Sequence, residues 1–89
     1  MTDPPAPPRV GILWSPGART DLRAVARDQA LQILYCLSRY LKDRIGDVKK
    51  LKPPVTGLRL RCGNYRVFFD RKDGLIEITA VRHRKDAYR

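Results

Sequence analysis

The chain is poor in the residues that most catalytic centres are built from. Among its 89 residues stand one histidine, one methionine and one tryptophan. Its two cysteines, Cys36 and Cys62, lie far apart and show no metal-ligand spacing, so they are read as two reduced, half-buried thiols. No carboxylate pair, Gly-rich phosphate loop, Cys/His metal set or Gly-x-Ser-x-Gly element is present, which argues against a metalloenzyme, an NTPase or a serine hydrolase. No run approaches the ~18 apolar residues of a membrane span, and Met1 to Pro8 lacks the apolar segment of a signal peptide. Together these absences imply a soluble, cytoplasmic protein with no membrane partner and no small-molecule cofactor. Acidic residues are also scarce: nine Asp and Glu face nineteen Lys and Arg, for a net charge of +10. A charge of that size favours a phosphate backbone or an acidic protein as partner.

What is present fits one small domain with a thin core. Residues 1–8 are Pro-rich and cannot make helix or sheet ladders, because proline lacks the donor; they are expected to form a disordered tail ahead of a single domain at 9–89. Arg9 to Trp14 reads as a short strand. Ser15-Pro16 starts a helix, with Ser as N-cap and Pro in the first turn, where its missing N–H costs little. A second helix is expected from about Asp28 to Ile45, where Ala30, Ile33, Leu34, Leu37, Leu41 and Ile45 recur at helical spacing and Gly46 is a natural stop. Asp47 to Gly57 reads as a basic connector carrying Lys49, Lys50 and Lys52. Three strands follow, at Leu58–Cys62, Tyr65–Asp70 and Leu75–Arg82, with turn signals at Gly63-Asn64 and Asp73-Gly74. The expected class is α+β in the order β-α-α-β-β-β, a small antiparallel sheet covered on one face by a helical hairpin.

Alternation assigns the faces of the sheet. A two-residue turn at Gly63-Asn64 pairs Cys62 with Tyr65, Arg61 with Arg66, Leu60 with Val67 and Arg59 with Phe68. Leu60, Val67 and Phe69 then face the helices, while Arg59, Arg61, Arg66 and Phe68 share the open face. Like charges directly opposite one another cost a few tenths to about 1 kcal/mol, so a face that gathers arginine suits a polyanion. Arginine forks onto phosphate and an exposed Phe68 stacks a base. If the next turn is the four residues Arg71 to Gly74, Glu77 falls opposite Phe68 and near Arg59, either to pair with it or to hold it for a phosphate.

The chain's end collects Arg82, His83, Arg84 and Tyr88. Imidazole gives or takes a proton near neutrality. Cleavage of an RNA phosphodiester needs the 2′-OH activated, the charge on phosphorus stabilised and the leaving oxygen protonated. Arginine, histidine and tyrosine supply those three services.

The "Ile12-Leu13-Trp14-Ser15-Pro16-Gly17-Ala18" opening, the helical hairpin, "Val48-Lys49-Lys50-Leu51-Lys52", the Arg-x-Gly-x-Tyr-Arg run ending at Arg66 and the His-Arg-x-x-x-Tyr run from His83 to Tyr88 resemble the RelE/ParE superfamily of bacterial type II toxins. The resemblance spans Val10 to Tyr88. It implies the RelE-like fold and a toxin paired with a cognate antitoxin. On the RelE-like side it implies a metal-independent endoribonuclease that enters the ribosomal A site, cuts mRNA there and so blocks translation. Carried over, Arg66 would stabilise the phosphate, His83 or Arg84 would fill the C-terminal basic position, and Tyr88 would be the terminal tyrosine. Arg66, His83, Arg84 and Tyr88 are thus the candidate catalytic residues. Lys49, Lys50, Lys52, Arg59, Arg61, Phe68 and Arg82 are the candidate RNA contacts. Some members carry lysine on the first meander strand where this chain has Arg59. Arginine is a poor general base, so proton abstraction would fall to Tyr88 or His83. ParE-like members share the fold, poison DNA gyrase and lack the nuclease set; a non-catalytic module binding only RNA or antitoxin is the third alternative.

Overall fold

Seven elements follow one another in a computed structural model that describes residues 11–54, 56–72 and 74–86. They are β1 (Gly11–Trp14), α1 (Pro16–Arg23), α2 (Arg27–Asp43), β2 (Asp47–Lys50), β3 (Leu58–Cys62), β4 (Tyr65–Lys72) and β5 (Leu75–His83). The sheet order is β1-β5-β4-β3-β2, antiparallel except where β1 runs parallel to β5. The α+β class and the helical hairpin stand as expected. The tail at residues 1–8 and the terminal Tyr88 lie outside the described residues.

The β3–β4 hairpin follows its local chemistry. Gly63 takes the positive φ (58°) that the first position of a two-residue turn needs, and the pairing Cys62↔Tyr65 through Arg59↔Phe68 is the register expected from the turn. At the first helix, the Ser15 hydroxyl accepts the Ala18 N–H at 3.1 Å with Pro16 behind it, as an N-cap should.

The core lies between the sheet and the hairpin. Ile33, Leu37 and Tyr40 of α2 and Ala18 of α1 meet Leu60, Cys62, Val67, Phe69, Ile76, Ile78 and Val81. The spacing of the last three shows an irregularity: Ile76 and Ile78 are two apart, but Val81 is three further on. A bulge between Phe68 and Phe69 absorbs the difference, since Phe68 pairs with Ala80 and Phe69 with Ile78, leaving Thr79 as the extra residue.

Five expectations need correction. The basic connector contains a strand: β2 pairs with β3 from Asp47↔Arg61 to Lys50↔Leu58. Val48, half-buried opposite Leu60, anchors it, and the open ladder of β3 supplies partners that outweigh the weak strand preference of lysine. The four-residue turn at 71–74 is replaced by a longer β4 that reaches Lys72 opposite Leu75, so Glu77 sits across from Asp70 and not Phe68. The α2 stripe is rotated, with Leu34 and Ile45 exposed and Tyr40 buried instead. The helix also stops at Asp43, because Arg44 takes the left-handed conformation (φ 57°) ahead of Gly46. Finally, Cys36 and Cys62 are joined as a disulfide with Cα atoms 6.2 Å apart, where two reduced thiols were expected. Packing of α2 across β3 sets that distance, which their separation of 26 residues along the chain does not reveal.

Candidate nucleic-acid interface

Register carries the basic side chains into rows on the face away from the helices. One row crosses four strands as Asp47, Arg61, Arg66 and Arg82; the next is Lys49, Arg59, Phe68 and Ala80. Successive rows are two residues apart along a strand, about 6.5 Å. Three guanidinium-bearing residues on adjacent strands repel one another. The row is relieved at one end, where Arg82 Nη1 donates to Asp21 Oδ1 of α1 at 3.1 Å; at the other end Asp47 is the register partner of Arg61.

Arg66 sits in the middle of that row and is not the open side chain alternation suggests: it is 6% exposed. Its Nη1 donates to the carbonyls of Gly63, at 2.9 Å, and Tyr65, at 3.0 Å. Its buried Nε has no partner among the described residues. The side chain folds back over the β3–β4 turn, and neutral carbonyls accept from it without cancelling its charge. Folding has already met the cost of ordering this side chain.

His83 stands elsewhere. It pairs with Tyr65 and follows Val81, so alternation sets it on the helix-bearing face, opposite to Arg66. The Tyr65 and His83 rings meet edge to face with centroids 5.3 Å apart. Lys85 N–H donates to His83 Nδ1 at 3.2 Å, which puts the proton of the neutral ring on Nε2. The strand therefore brings Arg61, Arg66 and Arg82 together but does not bring His83 to them. Arg84 is exposed, and its backbone N–H donates to Asn64 O at 2.7 Å, which fixes it at the same end of the sheet as the Arg66 turn.

The lysines form a second basic region. Lys49, Lys50, Lys52 and Arg59, with Leu51, line a cleft of about 380 Å³. Lys50 also lines a cleft of about 470 Å³ with Thr56, Gly57, Leu58, Asp70 and Arg71. Gly57 is required there: at φ 108°, a Cβ would stand 2.8 Å from Asp70 Oδ1 and 3.0 Å from Phe69 O. Phe68 is half-buried beside Arg59. Sequence reasoning did not find Asp21 or Asp47, which bracket the arginine row; neither carries a local motif, and only pairing and packing bring them there. No helix among the described residues is long and apolar enough to cross a membrane.

Comparison with known proteins agrees with this fold. The chain superposes on the RelE-containing RelB–RelE antitoxin–toxin complex of Methanococcus jannaschii with a TM-score of 0.71 and 27% identity, covering 85% of this chain and 94% of that one. The YoeB dimer of Staphylococcus aureus matches with a TM-score of 0.69 and 24% identity, over 84% of this chain and 97% of that one. The archaeal RelE–RelB complex of Pyrococcus horikoshii matches at 0.67 and 21%, over 86% and 97%. No curated protein matches the sequence. The family model of the ParE toxin of type II toxin–antitoxin systems matches residues 12–88, almost the whole described domain. The chain belongs to that family and is a toxin of a toxin–antitoxin system with the RelE/ParE fold.

Proposed function

We propose that this toxin acts in the cytoplasm as a ribosome-dependent endoribonuclease, cutting mRNA in the A site. The observation that supports the reading is Arg66: a buried guanidinium, anchored by two carbonyls and central to a row of arginines. A phosphate on that row would meet the exposed guanidinium groups of Arg61 and Arg82 with the buried Arg66 charge behind them, an arrangement that stabilises charge building on phosphorus. The 2′-oxygen attacks the adjacent phosphorus, the P–O5′ bond breaks, and the products carry a 2′,3′-cyclic phosphate and a 5′-hydroxyl. Arginine does not take the 2′-OH proton. Tyr88, at the position the superfamily resemblance assigns to the terminal tyrosine, is the group this reading gives that task, as its phenolate, and the leaving 5′-oxygen takes its proton from water. Phe68 and the Lys49, Lys50 and Lys52 cleft would bind neighbouring nucleotides.

A second reading is carried by the family model matched, which is that of ParE, and by His83, which lies across the sheet from Arg66. It makes the toxin an inhibitor of DNA gyrase. In both readings the partner that restrains the toxin is a cognate antitoxin, and an acidic antitoxin segment suits a net charge of +10. Purified toxin added to a translating extract, with primer extension on the mRNA, separates the two. Cuts that depend on ribosomes support the nuclease. Intact mRNA together with arrested gyrase supercoiling supports the alternative.

A further inference from the structure

We infer that Asp21, on α1, is a positioning residue for nucleic-acid binding, holding the Arg82 guanidinium at the end of the arginine row; the inference rests on the RNA reading of that row. Asp21 Oδ2 accepts the Val81 N–H at 3.0 Å while Oδ1 accepts from Arg82 Nη1 at 3.1 Å. The Asp21 side chain is 19% exposed and that of Arg82 is 51% exposed.

Topology explains why a carboxylate belongs there. β1 pairs with β5 only as far as Trp14↔Ile78. Ser15 carries the edge one step further, donating its N–H to Ile78 O at 3.0 Å and its hydroxyl to Thr79 O at 3.3 Å. Val81 N–H is the next donor on that edge, and α1 delivers Asp21 to it. One oxygen of the carboxylate satisfies the strand, and the other fixes the side chain of the following residue. Asp21 engages Arg82 through Nη1 alone, and a guanidinium has five N–H donors, so the remainder stay available to a phosphate. An arginine already ordered by folding loses less rotamer freedom on binding.

Simple electrostatics expects the reverse. A carboxylate beside a phosphate site repels the ligand, and neutralising it raises the net charge, so binding should tighten. The two accounts differ in sign, which makes the test sharp. The affinity of the full chain for a single-stranded 2′-deoxyoligonucleotide, which lacks the attacking hydroxyl, is measured across salt concentrations for wild type, Asp21→Asn, Arg82→Ala and the double variant. Asparagine keeps an oxygen for Val81 N–H and removes the charge held against Arg82.

The expected result is about threefold weaker binding by Asp21→Asn despite its added positive charge, with a log K against log salt slope shallower by about 0.7. The loss should vanish in the Arg82→Ala background, since two residues acting through one contact are not additive. Equal or tighter binding by Asp21→Asn overturns the inference and leaves the RNA reading standing. So does a loss that persists without Arg82, which would mark Asp21 as merely a brace for Val81. A wild-type protein that does not bind the oligonucleotide overturns this inference alone, because the RNA reading is decided separately by ribosome-dependent cutting in the translating extract.

Discussion

Tyr65 and His83 meet edge to face, ring centroids 5.3 Å apart, on the opposite side of the sheet from Arg66. The pair closes one end of the core, where Tyr65 packs against the buried cluster. From that position we expect His83 to act in packing and not in the proton transfer. Replacing it with glutamine should cost about 1 kcal/mol of stability, the usual worth of an aromatic pair. Cleavage by His83→Gln should fall far less than the ~10²-fold or more that losing a general base costs. Initial rates in the translating extract decide this, and a drop of ~10²-fold would return His83 to the chemistry.

The two faces of the sheet should respond differently to truncation. Leu60→Ala and Phe69→Ala each open space in the core and are expected to lower stability by about 2–5 kcal/mol. Lys49→Ala, on the exposed edge strand, should stay within about 0.5 kcal/mol of wild type. It should instead weaken binding to single-stranded nucleic acid and make the salt slope shallower by about 0.7, one phosphate contact. Urea denaturation and a salt titration of binding read the two effects separately. Equal destabilisation by all three would contradict the assignment of faces.

The Cys36–Cys62 bond closes a loop of 26 residues between α2 and β3. Loop-closure arguments put its contribution at about 3.5 kcal/mol. Under a dithiol reductant, or in Cys36→Ser, the urea midpoint should drop accordingly. Purified, unreduced protein should resist alkylation by iodoacetamide in denaturant. Rapid labelling of two thiols would show that the bond is not formed.

Much of this structure was legible in local chemistry. Gly63-Asn64 set the hairpin register, and alternation from there put Leu60, Val67 and Phe69 in the core. Ser15-Pro16 marked the first helix start. What escaped depends on distant partners. Asp47-Val48-Lys49-Lys50 has one apolar residue and no strand signal of its own, yet the ladder of β3 recruits it. The bulge at Thr79 changes which side of β5 faces in, and nothing in Ile78-Thr79-Ala80 announces it. Alternation put Arg66 on the right face but could not show that it folds back onto the Gly63 and Tyr65 carbonyls. Asp21 meets Arg82 sixty-one residues away, a contact that only packing of α1 on the sheet edge produces.

The role given to Arg66 is the centre of the account. Lysine at that position keeps the charge but supplies a point donor in place of the guanidinium fork. Loss of the carbonyl contacts should cost about 1–2 kcal/mol, so the domain stays folded. The most direct measurement is primer extension on mRNA in a translating extract with wild type, Arg66→Lys and Arg66→Ala, each confirmed folded by circular dichroism. The expected result is ribosome-dependent cuts at defined positions with wild type and a loss of about 10²-fold or more with both variants. Folded Arg66→Ala that cuts as fast as wild type would contradict the account.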